Sequence, residues 1–286
     1  MGGGSFSYTA YSDYSRSSGK TIDTITGFIS SGQVYKAVRL DEALNPENAI
    51  RECCNTEEHP NTIPVILALD VTGSMGAACK KTAEALGVIM KELYERFEDI
   101  EFMVMGIGDL DYDRAPIQAS QFESDVRIAV NLDKIYMEHG GGGNAFESYT
   151  SAWYFGLHNT KLDCFDLQER KGIIITMGDE PLNPYLPHKA LNDVLGCNET
   201  KEVETKPLYE EALKKFDIFH ISVDDSDDNY NWHKSEIESS FGQLLGERSK
   251  VSTINDLHKT IVECITESLR NSSRPMKLNE SDEISW

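Results

Sequence analysis

The stretch that most constrains this chain is Val65-Ile66-Leu67-Ala68-Leu69, five apolar residues in unbroken succession that end on Asp70. An alternating run would leave one face to water, whereas a continuous run of strand length predicts a strand covered on both faces. After the turn Val71-Thr72-Gly73-Ser74-Met75-Gly76, the residues Cys79, Ala83, Leu86, Met90, Leu93 and Phe97 recur at steps of three and four, one face of a helix. The alternation repeats: strands are expected at Phe102–Ile107, Val126–Val130, Ile173–Met177 and Ile218–Val223. Helical stretches are expected at 146–157, 188–196, 206–215, 233–245 and 255–270. Strands alternating with helices predict an α/β fold, doubly wound, with a mostly parallel central sheet and helices on both faces. One short antiparallel edge strand completes it, and Gln33–Val38 is a candidate for such a strand.

With 286 residues, 40% of them apolar, the chain has material for one sizeable core and sits near the size at which single cores stop growing, about 250–300 residues. Residues 1–20, rich in Gly, Ser and Tyr, read as a flexible arm, and 21–61 as an extension wrapping a core that it does not form. Within that extension Asn45-Pro46 predicts the start of a short helix. The main domain is expected over 62–270 and a polar tail over 271–286.

Composition excludes several functions. Against 27 basic residues stand 48 acidic ones, a net charge of −21, whose field repels nucleic-acid phosphates and anionic membranes and favours cations. No apolar run approaches the roughly 18 residues of a transmembrane helix, and neither a signal peptide nor a myristoylation signal is legible. Six cysteines without CxxC spacing make zinc or a disulfide framework improbable, and with no secretion signal the expected localisation is cytoplasmic. GxxxxGK[ST], HExxH and GxSxG are all absent.

In a doubly wound sheet the ligand site lies outside the carboxyl ends of the strands. The residues there are acidic and hydroxylic: Asp70, Thr72 and Ser74, then Asp109, Asp111 and Asp113, then Asp179 and Glu180, and finally Asp224 and Asp225. Asp70-x-Thr72-x-Ser74 brings a carboxylate and two hydroxyls to one turn. Mg²⁺ takes six hard oxygens in octahedral geometry and keeps waters, so such a set leaves room for an incoming ligand. Asp109-x-Asp111-x-Asp113 imitates a calcium loop, but Arg114 stands where Gly is required and Ser120 where the bidentate Glu belongs.

Leu69-Asp70-Val71-Thr72-Gly73-Ser74-Met75 resembles the metal-ion-dependent adhesion site (MIDAS) of the von Willebrand factor A (VWA) domain, written Asp-x-Ser/Thr-x-Ser after a buried first strand. The resemblance runs from about Pro64 to Leu269, with the elements in the same order. His139-Gly140-Gly141-Gly142-Gly143-Asn144-Ala145-Phe146-Glu147-Ser148 stands where that family carries a glycine-rich loop with a Thr ligand, here missing. Its pattern is nearer the Gly-Gly-Gly-Asp-x-Pro-Glu of the A domains associated with alpha-kinases. Asn144 or Glu147 then supplies the third-loop position. Gly178-Asp179-Glu180-Pro181 resembles that branch's Asp-x-Pro, and Ile107-Gly108-Asp109 its acidic residue after the second strand. Glu58-His59-Pro60-Asn61 ahead of the first strand is also similar to uncharacterised A-domain proteins of bacteria and phages.

The resemblance implies a non-enzymatic, metal-dependent protein–protein interaction module. Mg²⁺ (or Mn²⁺) is held by Asp70, Thr72, Ser74, Asn144 and Asp179, with Asp109 and Glu147 behind them, and captures an acidic side chain of a partner protein. Specificity is expected from the loops at 109–125 and 181–205. The rival reading of the same residues is a Mg²⁺-dependent phosphoryl-transfer enzyme of haloacid-dehalogenase type, with Asp70 as nucleophile; against it, Thr72 stands where the soluble phosphatases carry a second Asp. Tyr149, Trp153, Tyr154 and Phe155, at helical spacing, read as core.

Overall fold

The computed structural model describes residues 4–30, 35–97, 99–138, 146–224 and 228–271. Six strands form the central sheet: β1 (Ile63–Asp70), β2 (Ile100–Ile107), β3 (Ile117–Ala119), β4 (Gly172–Gly178), β5 (Phe216–Asp224) and β6 (Ser249–Thr253). Their order across the sheet is β6-β5-β4-β1-β2-β3. All neighbours are parallel except the edge pair β2–β3, which is antiparallel. The fold is therefore the doubly wound α/β sandwich that the alternation predicts.

Every residue of β1 is buried, and the pleat explains why an unbroken apolar run is needed. Val65, Leu67 and Leu69 enter one core and Ile66 and Ala68 the other. The helices longer than one turn are α1 (Tyr8–Ser17), α2 (Gly76–Arg96), α3 (Arg127–Asp133), α4 (Thr150–His158), α5 (His188–Leu195), α6 (Thr205–Lys215), α7 (Asp228–Leu245) and α8 (Leu257–Asn271). The face with Val65 is covered by α2 and α8, which pack on each other, and the face with Ile66 by α4, α6 and α7. No described helix is long and apolar enough to cross a membrane.

Several expectations are corrected. The arm at 1–20 contains a ten-residue helix, α1, with Tyr11 only 1% exposed. Val126–Val130 is not a strand. It opens α3, because Asp125 Oδ1 accepts from Arg127 N (2.9 Å) and Ile128, Ala129 and Leu132 recur at helical spacing towards the core. The antiparallel edge is Ile117–Ala119, not Gln33–Val38. Of the latter, 33 and 34 lie outside the described residues, and Ala37 makes a single bridge to Tyr136. No helix starts at Asn45. Asp41 instead caps a 3₁₀ turn, Glu42–Leu44, accepting from Ala43 N at 2.9 Å. In the extension, Arg51–Cys53 pairs in parallel with Thr160–Leu162, and Ile29, Leu44 and Cys53 are buried as part of the two cores. Of the proposed tail, 272–286 lies outside the described residues.

Candidate metal centre

The strand order reverses between β1 and β4, and there the flanking crossovers leave in opposite directions and open a crevice at the carboxyl ends. Asp70 ends β1 and Asp179 directly follows β4, so the two carboxylates meet at the switch point. Both are fully buried.

Asp70 Oδ1 accepts two hydrogen bonds from Thr72, from the backbone N–H (2.9 Å) and from the hydroxyl (2.6 Å). Ser74 Oγ donates to Asp179 Oδ1 at 3.1 Å. Each hydroxyl thus gives its proton to a carboxylate and keeps its lone pairs, the acceptor side a hard cation uses. Thr72 is buried and Ser74 exposed, so the set runs from the sheet to the surface.

The other oxygen of Asp70, Oδ2, accepts from the phenol of Tyr149 at 2.7 Å. That phenol in turn accepts from Glu180 N at 3.2 Å. Its ring lies against His220, 5.3 Å between centroids, and Phe241, 5.9 Å. Sequence reasoning put Tyr149 in the core, where it is, but missed its polar end. The available signal was its position two residues after Glu147, in the loop that enters the site.

Carboxylates crowd this end and raise one another's pKa values. Burial, then the neighbouring Asp179 carboxylate, push the Asp70 carboxyl up to about 7. Burial, then Asp70, Asp113, Asp109 and Glu180, push Glu147 up to about 10. Glu147 is 6% exposed and its Oε2 is buried with no hydrogen-bond partner among the described residues. An enclosed set of carboxylates must either hold protons or hold a cation.

Of the residues singled out in the sequence, Asp70, Thr72, Ser74 and Asp179 are brought together and Glu147 stands within their field. Asp109 is buried in its own turn, where its Oδ1 accepts from Asp111 N at 2.8 Å. Asn144 lies outside the described residues. Among the described residues no three His, Cys, Asp or Glu side chains form a metal-holding group, so a cation here depends on the two hydroxyls as well as on carboxylates.

No family model matches this chain, and no curated protein sequence matches it. Among solved structures, it is similar to the vWF domain of the type V pili tip protein Mfa5 from Porphyromonas gingivalis, at 10% identity and a TM-score of 0.43, covering 76% of this chain and 98% of that one. It is also similar to the PilB minor pilin of Streptococcus sanguinis, at 12% identity and a TM-score of 0.48, over 75% of this chain and 63% of that one. A third is the pilus adhesin SpaC of Lactobacillus rhamnosus GG in its open conformation, at 12% identity and a TM-score of 0.47, over 79% of this chain and 31% of that one.

Proposed function

We propose that this chain is a von Willebrand factor A-type binding module that holds Mg²⁺ or Mn²⁺ at the switch point and captures a carboxylate of a partner protein. The observation that carries the reading is the direction of two protons: Thr72 and Ser74 donate to Asp70 and Asp179 and keep oxygen lone pairs for a cation. Thr72 and Ser74 are the direct ligands, and Asp70 and Asp179 supply the negative charge, at first or second hand. Asn144, or the buried Glu147, completes the set from the third loop. The bound ion supplies positive charge that reverses the local field, which reconciles an acidic protein with a carboxylate ligand.

The surroundings suit a protein partner. Beside the site a pocket of about 220 Å³, lined by Asp109, Asp111, Phe146 and Tyr185 among others, is smaller than the roughly 300–1,000 Å³ of small-molecule sites. Tyr112 and Tyr185 are exposed on the loops expected to set specificity, and amphipathic aromatics of this kind are common in protein interfaces. The phosphoryl-transfer alternative is disfavoured by Asp70 itself. Both its oxygens accept hydrogen bonds inside the protein and the residue is fully buried, which leaves no exposed lone pair to attack phosphorus.

Calorimetric titration with Mg²⁺ and Mn²⁺ tests the site. One equivalent is expected to bind, and Asp70→Ala to abolish binding. Ser74→Ala, which leaves no buried void, is expected to weaken it at least tenfold. Hydrolysis of a generic phosphatase substrate, lost in Asp70→Ala, would establish the enzyme reading instead.

A further inference from the structure

Among the described residues, Tyr149 is a side chain that touches all three parts of the centre. It begins the third-loop entry into α4, its phenol donates to Asp70 Oδ2 at 2.7 Å at the end of β1, and the same oxygen accepts from Glu180 N at 3.2 Å, next to Asp179 beyond β4. The space it occupies is reserved for it. A Cβ at Gly178 would lie 2.0 Å from the phenol oxygen, so only glycine at the end of β4 lets the ring reach between the strands. The ring itself is held by His220 and Phe241, and the residue is fully buried.

The phenol therefore does two things that packing alone does not require. It fixes the rotation of the Asp70 carboxylate, since Oδ1 is tied to Thr72 and Oδ2 to Tyr149. It also ties the Glu180 amide, and with it the backbone that presents Asp179, to the same carboxylate. Groups that hold a metal ligand from behind set its orientation, and their removal costs roughly 10–100-fold in metal affinity.

We propose that Tyr149 is a positioning residue of the metal centre, locking Asp70 and the Asp179 loop into one arrangement before the cation arrives. The proposal rests on the metal-binding reading above. In Tyr149→Phe the ring stays and only the oxygen goes.

The full-length protein and its variants are titrated with Mn²⁺ by calorimetry and by the electron paramagnetic resonance of the bound ion, with backbone amide exchange at Glu180 measured alongside. Tyr149→Phe is expected to weaken Mn²⁺ at least tenfold, to alter the resonance of the residual bound ion and to speed exchange at Glu180. Replacement by 4-aminophenylalanine, which restores a donor to Asp70, is expected to recover most of the affinity. If the wild type binds Mn²⁺ and Tyr149→Phe binds it equally well, Tyr149 is only a core residue and the proposal is overturned. Weakened binding that the amino analogue does not recover overturns it as well. A wild type that binds no Mn²⁺ removes the metal reading itself, a distinct outcome.

Discussion

At the scale of single residues, the site depends on where a few polar atoms find partners. Asp70, Thr72 and Ser74 were legible because they share one turn: a carboxylate at a strand end and hydroxyls two and four residues on can meet without long-range help. Asp179 was legible from its place after an apolar run. Tyr149 was not, because an aromatic at helical spacing reads as core and its bond to Asp70 spans 79 residues. Nor did the sequence explain Gly178 as the neighbour that makes way for that phenol, with a Cβ there 2.0 Å from it. Gly178→Ala is accordingly expected to destabilise the protein by about 1–3 kcal/mol through overpacking. In urea unfolding the midpoint falls at an unchanged slope, and an unaltered midpoint would show that the ring can step aside freely.

Among the elements, the long parallel strands and the amphipathic helices α2 and α8 were readable because periodicity is a property of consecutive residues. The elements misread are those whose partners are distant. Helix α1 has few apolar residues, and its polar composition resembles a loose arm. It is held by Tyr11 laid over Gly87 of α2, by Tyr14 donating to Asp133 Oδ2 at 2.7 Å, and by the ion pair of Lys20 with the same carboxylate. Helix α3 reads as a strand in sequence because Val126 to Val130 is short and rich in β-branched residues, and only the Asx turn from Asp125 and the burial of Leu132 decide otherwise. Gly87 tests the docking of α1. A Cβ there would meet Tyr11 Cε1 at 2.3 Å, so Gly87→Ala is expected to release the helix. Amide exchange in residues 8–17 then rises by an order of magnitude or more while Mg²⁺ affinity is unchanged; slow exchange in the variant would refute the account.

For the whole molecule, two buried groups tilt stability in opposite directions with pH. His220, stacked on Phe241 and hydrogen-bonded through Nδ1 to Thr176 Oγ1 (2.9 Å), is pushed down to about 3 by burial. Its unfolded form takes a proton below about 6.5 that the native form refuses, so it lowers stability as pH falls from there towards 3. Glu101, buried in β2, is pushed up to about 7, chiefly by burial. The unfolded form ionises above about 4.5 while the native form keeps its proton, so stability is lost as pH rises towards 7. Denaturant unfolding across pH is expected to lose its acid-side slope in His220→Asn and to flatten between about 4.5 and 7 in Glu101→Gln, each by up to about 1.4 kcal/mol per pH unit. Unchanged slopes would mean that these groups titrate alike in both states. What the sequence alone determined is the class of fold and the first turn of the site, because a strand buried on both faces and a helix with one apolar face are written in neighbouring residues. The tertiary structure decided which loops meet, that α1 is a docked helix, and that Tyr149 faces Asp70. Contacts of that kind join residues far apart in the chain, and only close packing of the two cores around the sheet brings them within hydrogen-bonding distance.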